Sequence, residues 1–427
     1  MFLKLKDKSF IKEGPDLDSY MPYMNNTRDS TLLNKSASSI LKLCDGTNSL
    51  SDISNILRKE YNEKLDIVRS NVENFLNPLI SCGLIEKLSQ KTPSNIKRGS
   101  SSIYYPDVIS WEITDFCPLM CRHCYLSKKN NQIITKENID KILKIIDDIG
   151  ICQVQLTGGE ALTHPFLGYI IDHLVDKGIV ISISTSGMIL DDKVFKHVKK
   201  INQVKGSFIR ISLDGNDQTH NYIRQNGSSY DNAIKFIKKA ISNGLQCQIG
   251  TTIINQSKDE IEQLVKLSKN LGVSLIEIGM LCIQGDAKKN NLNSFISTKE
   301  LNIFLKELHK KYGDNKFTVK VPVPLNQKNC GAGHKLIRIR PNMDITPCPM
   351  LDFVLGNLNQ QSISEIMSKY GKIFHDFYSP HPDICLDCSK KDDCNGCSAH
   401  ALNLKNGIKN CSWCENQKKN LEVFFKV

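Results

Sequence analysis

Three cysteines set the first chemical constraint. They fall in the run Cys117-Pro118-Leu119-Met120-Cys121-Arg122-His123-Cys124-Tyr125, a C-x3-C-x2-C spacing. Three thiolates so spaced on one loop can hold three irons of a cubane cluster. A fourth thiolate is missing nearby, which leaves one iron open to an exogenous ligand, as a catalytic metal requires. Structural zinc fits less well, because it wants four ligands in paired knuckles. Further along comes Leu156-Thr157-Gly158-Gly159-Glu160. Two glycines let backbone groups approach a ligand closely, and the carboxylate beside them can receive an ammonium group. Alone, such a run is a plain strand-to-helix turn; one β-α unit after the cysteine loop it becomes specific. Ser184-Thr185-Ser186-Gly187 and Ser212-Leu213-Asp214-Gly215, the latter followed by His220 and Arg224, add small polar groups at the ends of later strands.

A second group of cysteines lies near the C-terminus: Cys330, Cys348, Cys385, Cys388, Cys394, Cys397, Cys411 and Cys414, eight in 85 residues of weakly periodic chain. So little apolar surface is available there that metal is needed for folding. Zinc knuckles are the alternative to iron–sulfur clusters. Of the remaining five, Cys44, Cys82, Cys152 and Cys247 lie in helix or strand patterns and are expected to be buried small hydrophobes. Cys282, just past a strand, is expected at the same mouth as the first cysteine loop.

The elements that must position these groups fall into three zones. Apolar strand runs at 108–114, 152–157, 179–185, 208–213, 246–254 and 273–281 alternate with amphipathic helices at 136–149, 166–177, 191–200, 230–242, 259–270 and 299–312. This alternation predicts a parallel sheet with crossover helices. The fold class is α/β: a partial (β/α)6 barrel over 105–315, with its chemistry at the C-terminal ends of the strands. Before it, residues 1–88 show strand-like segments at 2–6 and 20–24, then three helical patterns. Ser49-x-x-Asp52 marks a capping box, and Leu84–Lys87 closes the zone. Three small helices followed by a short β-wing predict a winged helix. A polar stretch, 89–104, reads as a linker. Residues 316–427 form the Cys-rich third zone.

Composition excludes several classes. The chain has 427 residues, 40% hydrophobic and 24% charged, which is ordinary for a folded protein and argues against wholesale disorder. No apolar run reaches the ~18–20 residues of a membrane span. The opening Met1–Lys6 is interrupted by lysines and lacks an apolar signal core, which predicts a cytoplasmic protein. The net charge of +11 suits an anionic partner or a solvated surface. A DNA-reading helix would be strongly basic, but Leu50–Tyr61 sets Arg58 and Lys59 against Asp52 and Glu60, so no nucleic-acid partner is expected.

Residues 105–315 resemble the radical S-adenosylmethionine (SAM) enzymes. The resemblance implies that Cys117, Cys121 and Cys124 bind a [4Fe–4S] cluster whose open iron takes the amino and carboxylate groups of SAM. It implies that Gly158, Gly159 and Glu160 contact the amine, that Ser212 and Arg224 serve the carboxylate or ribose, and that Tyr125 lies near the adenine. Asp214 and His220 either join them or order the loop. The implied chemistry is one-electron reduction of the sulfonium to a 5′-deoxyadenosyl radical that abstracts hydrogen, with flavodoxin or ferredoxin as electron donor.

The third zone resembles the SPASM extension, which carries auxiliary iron–sulfur clusters. By that resemblance Cys385, Cys388 and Cys394 share one cluster with Cys414 or Cys411, and Cys330, Cys348 and Cys397 belong to another. The glycine usual five residues before the second cysteine is Met343 here. In the first zone, Asn34–Leu41, Cys44-Asp45-Gly46 and Leu50–Ile53 resemble the PqqD-like element that captures a precursor's leader peptide as an added edge strand. The three parts together resemble radical SAM maturases of ribosomal peptides. That implies intramolecular cross-linking of a precursor core, with Cys thioethers (sactipeptides) preferred. The alternatives are C–C linkage, epimerisation, or action on a protein or tetrapyrrole.

Overall fold

The computed structural model describes residues 1–126, 131–292, 298–321 and 330–376. Cys385, Cys388, Cys394, Cys397, Cys411 and Cys414 lie outside the described residues.

Val108–Thr114, Gln153–Gly158, Val180–Thr185, Phe208–Ser212, Cys247–Ile253 and Leu275–Met280 are adjacent parallel strands in chain order. Their alternation explains both layers. Ile109, Trp111 and Ile113 are wholly buried on one face of the first strand. Their counterparts on neighbouring strands pack under helices such as Lys136–Ile149, which buries Ile139, Ile142, Leu143, Ile146 and Ile149. Each such side chain contributes about 1.5–3 kcal/mol. The other face carries Thr157, Ser184, Arg210, Ser212, Thr252 and Glu277, which line a cavity. The barrel lumen is therefore polar on that side, unlike a lumen filled with branched apolar layers.

The sheet is larger than expected. A seventh parallel strand, Thr318–Lys320, pairs with the sixth where the strand signal had faded. At the other edge, Leu336–Ile339 from the Cys-rich zone pairs in parallel with the first strand, and Asp344–Thr346 and Gly356–Asn357 follow antiparallel. The third zone is thus built onto the barrel's own sheet. Met343 turns into Asp344–Thr346 at φ +72°, wholly buried. A side chain where glycine is usual strains this turn, and the apolar contacts of Met343 in the main core offset that strain.

The front part holds helices Lys35–Lys42, Leu50–Tyr61 and Leu65–Ser81 against a three-stranded antiparallel sheet of Asp45–Ser49, Phe2–Leu5 and Ile85–Leu88. The capping box forms: Ser49 Oγ accepts from Asp52 N at 3.2 Å, and Asp52 Oδ2 accepts from Ser49 N at 2.9 Å. A second sheet orders Thr31–Leu32, Ser19–Met21, Phe10–Glu13 and Lys97–Gly99. The stretch expected as a linker is therefore structured in part. Thr92 and Ser94 donate to Gly46 O and Asp45 O, Ile96 is buried, and Lys97–Gly99 pairs with Phe10–Glu13. Its polar composition hid this, because the apolar anchors are few, Ile96 in the front core and Ile103 against the main core.

Of the cysteines expected to be buried, Cys44 and Cys247 are, and burial pushes each thiol up to about 12. Cys152 is half-buried, and Cys82 is exposed because it is the cap residue beyond Ser81 rather than part of the packed helix. No helix among the described residues is long and apolar enough to cross a membrane.

Candidate active site

Six strand ends converge on a cavity of about 450 Å³. Cys117, Cys121 and Cys124 from the loop after the first strand line one wall. Gly158 and Gly159, Thr185 and Ser186, Ser212, Thr252 and Cys282 line the rest. The glycines are required by space. A Cβ on Gly158 would stand 2.0 Å from Thr114 O, and one on Gly159 would stand 2.1 Å from Phe116 O. Gly158 also has φ +138°, a conformation other residues avoid. In this way the second strand's end is drawn against the base of the cysteine loop, with Gly159 N donating to Thr114 O and Glu160 N to Phe116 O, each at 2.7 Å.

Glu160 does not face the cavity as an open acceptor. Its carboxylate is wholly buried. Oε1 accepts from Thr185 Oγ1 at 2.8 Å and from Leu162 N at 3.3 Å. Oε2 accepts from Ser186 N at 2.8 Å and Ser186 Oγ at 2.5 Å. Four donors occupy its acceptor sites, so it ties the second strand's end to the third's. The polar run at 184–187 was visible in the sequence; its pairing with Glu160 was not.

Arg224 also has protein partners. Its Nε donates to Asp214 Oδ2 at 2.6 Å and its Nη1 to Cys121 Sγ at 3.7 Å. Asp214 is wholly buried. Burial alone would raise its pKa, but Arg224 and the neighbouring histidines overcome this and hold it down to about 2. The same buried charges keep Arg224 protonated. Asp214 N donates to His220 Nδ1 at 3.1 Å, and Thr252 N donates to Asp214 Oδ1 at 3.4 Å, so both acidic and imidazole groups order this loop. A fixed cation thus stands beside one of the three thiols.

Tyr125 borders the cavity, but its hydroxyl is committed elsewhere, donating to Glu112 Oε1 at 2.8 Å. Burial first, then the Glu112 charge, raise its pKa well above the usual value. Glu112 in turn meets Arg338 Nη1 at 3.5 Å, and Arg338 reaches Asp352 at 2.7 Å. This chain, buried as far as Arg338, connects the cysteine loop to the Cys-rich zone. Sequence reasoning missed it, and missed Arg210 and Glu277, paired at 2.7 Å within the cavity. The alternation in Phe208–Ser212 puts Arg210 on the same face as Ser212 and would have located it.

Cys330 and Cys348 belong together to a small apolar cluster with Ala332 and Leu351. Among the described residues, no three His, Cys, Asp or Glu side chains converge into a finished metal site. The three loop thiols instead share one cavity wall, beside a cation and a glycine cradle, and that donor set fits an iron–sulfur cluster with an anionic co-ligand.

Buried imidazoles give a pH signature. His164, His220 and His334 are each held at a pKa of about 4, chiefly by desolvation. Their folded values lie below the unfolded ~6.5, so between these values the unfolded chain binds more protons. Stability is full above about pH 6.5 and falls as pH drops towards 4. Urea unfolding of the apo chain should therefore show a clearly lower midpoint at about pH 5.5 than at about pH 7.5. Equal midpoints would mean these rings are not buried as neutral bases.

Three family models match the chain: the radical SAM superfamily over residues 111–268, coenzyme PQQ synthesis protein D over 24–85, and the SPASM iron–sulfur cluster-binding domain over 330–389. Among curated proteins, the antilisterial bacteriocin subtilosin biosynthesis protein AlbA of Bacillus subtilis is 25% identical over 408 residues, covering 90% of this chain and 89% of that protein. The AdoMet-dependent heme synthase of Methanosarcina barkeri is 23% identical, covering 69% and 92%. Among solved structures, Streptococcus suis SuiB bound to precursor peptide SuiA superposes with a TM-score of 0.69 at 14% identity, covering 97% of this chain and all of that one.

Proposed function

Since this chain is a radical SAM enzyme with a SPASM extension and an N-terminal PqqD-like domain, we propose that it matures a ribosomally made precursor peptide, closing cross-links within the core. The observation that carries this is the front domain itself. AlbA aligns over 90% of the chain, so that similarity extends well into the first hundred residues. A tetrapyrrole enzyme has no use for a domain that recruits peptide. The strand Thr31–Leu32 is the outer edge of its sheet, and Leu32 is 68% exposed. An extended leader can add there by backbone pairing, with side-chain pockets selecting the partner.

We read residues 1–88 as a winged-helix leader-recognition domain, 105–315 as the catalytic barrel, and 316–427 as the auxiliary-cluster domain. Cys117, Cys121 and Cys124 would hold the catalytic [4Fe–4S] cluster. Cys330 and Cys348, with the later cysteines, would hold one or two auxiliary clusters. When bound, cluster and SAM supply a hydrogen-abstracting 5′-deoxyadenosyl radical. The chain's own residues position it. The Gly158–Gly159 backbone lets the methionine amine approach, Ser212 and the Arg224 guanidinium face its carboxylate or ribose, and Tyr125 walls the cavity towards the Cys-rich zone. Glu160 acts by fixing Thr185 and Ser186. Joining a cysteine thiol to a core C–H removes two hydrogens: the deoxyadenosyl radical would take one as an atom, the thiol would lose the other as a proton, and the surplus electron would pass to an auxiliary cluster, with a thioether as the product we prefer. A reduced flavodoxin or ferredoxin is the proposed electron source, and the cytoplasm the proposed location.

The test is anaerobic incubation with SAM, reductant and a peptide encoded beside the gene. The product should be lighter by two hydrogens per link. An unchanged mass accompanied by deoxyadenosine would favour epimerisation; tetrapyrrole turnover without peptide would sink the reading. Leu32→Asp should weaken binding of fluorescently labelled precursor about tenfold, the equivalent of losing one buried leucine, while SAM cleavage without peptide is unaltered.

A further inference from the structure

The front domain and the cavity lie at opposite ends of the barrel. The tethers between front domain and barrel fall just before strands begin. Lys12 Nζ donates to Pro106 O and Asp107 Oδ1, each at 2.6 Å, ahead of the first strand. Phe10 and Arg98 pack on Gly150, ahead of the second. Arg28 donates to Lys177 O at 2.8 Å and Gly178 O at 3.1 Å, ahead of the third. Asn26 O accepts from Lys205 N at 2.6 Å, ahead of the fourth. The cavity residues, by contrast, run from mid-strand at Arg210, Gly250 and Glu277 to beyond the strands' C-terminal ends at Cys117, Ser186 and Cys282. Thr31–Leu32 follows Arg28 closely in the chain, so the open edge belongs to the far end too.

A peptide cannot take the short way through. Ser182 and Gln248, one step below the cavity-lining Ser184 and Gly250 on the same strand faces, are buried. The first strand has seven residues, which at about 3.3 Å each makes the barrel about 20 Å tall. Passing outside the helix layer adds roughly 10 Å at each end. An extended chain covers about 3.4 Å per residue, so about a dozen residues are needed for the outer route.

We propose that this enzyme excludes target residues too close to the leader: the precursor must carry a spacer of at least about a dozen residues between the leader segment held at Thr31–Leu32 and the first modified core position. This rests on the front domain being the leader's anchor, and it adds a requirement that anchoring alone does not impose. A longer spacer remains competent, because effective concentration falls only as about the −3/2 power of length, some threefold per doubling.

The experiment uses the full chain, reconstituted with its clusters, and the fluorescein-labelled precursor. One variant has its spacer cut to five residues and another has it doubled with Gly-Ser. The short-spacer peptide should bind within about threefold of the parent affinity yet be modified at least a hundredfold more slowly, whereas the doubled one should lose no more than about threefold in rate. Equal affinity with undiminished modification of the short-spacer peptide overturns the proposal. If Leu32→Asp leaves binding of the parent unchanged, the anchor assignment itself has failed, and the distance rule falls with it.

Discussion

Cys121→Ala should yield an enzyme that has lost the iron and absorbance of one cubane, keeping those of the auxiliary clusters, and whose deoxyadenosine production has dropped by about a thousandfold or more, with its fold retained. The thiol sits on the cavity wall, 7% exposed, and its side chain is small. Its removal costs about 1 kcal/mol of packing, little for a chain with so extensive a core. The loss of activity comes from elsewhere. A cubane held by three side chains of one loop would lose a third of its protein anchorage with Cys121. Iron analysis, absorbance and deoxyadenosine assay of anaerobically reconstituted protein read the effect. Cys82→Ala, at an exposed helix end, is the control and should change none of them. If Cys121→Ala kept the full iron content of the parent and still cleaved SAM, the assignment of the loop would be wrong.

The second large effect is expected at Asp214. Replacing it with alanine strands the buried Arg224 guanidinium, which it meets at 2.6 Å, and removes the acceptor for Thr252 N. Breaking a buried pair from one side costs about 3–5 kcal/mol, because the surviving charge stays desolvated. Asp214→Ala should therefore lower the unfolding midpoint of the apo barrel markedly. Asp214→Leu together with Arg224→Leu should recover most of that stability, since no charge is left unpaired. It should not recover SAM cleavage, because the cation beside Cys121 is gone. Urea unfolding and deoxyadenosine assay on the same preparations separate the two roles. Failure of the single variant to destabilise would mean that the pair is solvated.

These two sites differ in how they could be found. The cysteine loop was legible because its chemistry is written in consecutive residues: C-x3-C-x2-C keeps its meaning wherever the loop points. The barrel strands were legible for a similar reason, since alternation along Val108–Thr114 or Phe208–Ser212 reports a buried face without reference to distant chain. The capping box at Ser49 and Asp52 is equally local. Thr318–Lys320 and Lys97–Gly99 were not legible, each being three residues long and a strand only because a neighbour offers its edge.

The site divides along the same line. Sequence alone determined which groups are present at the barrel mouth: three thiols, a Gly-Gly-Glu turn, Ser212, Asp214 and Arg224. Only the tertiary structure decided what each one faces. Glu160 turned out to be saturated by Thr185 and Ser186, Tyr125 committed to Glu112, and Arg224 shared between Asp214 and Cys121. It also decided that the front domain sits at the strands' N-terminal ends, remote from the mouth. The reason is physical. Residue type and periodicity act between near neighbours, whereas the partner of a buried charge is fixed by packing that brings together segments a hundred residues apart.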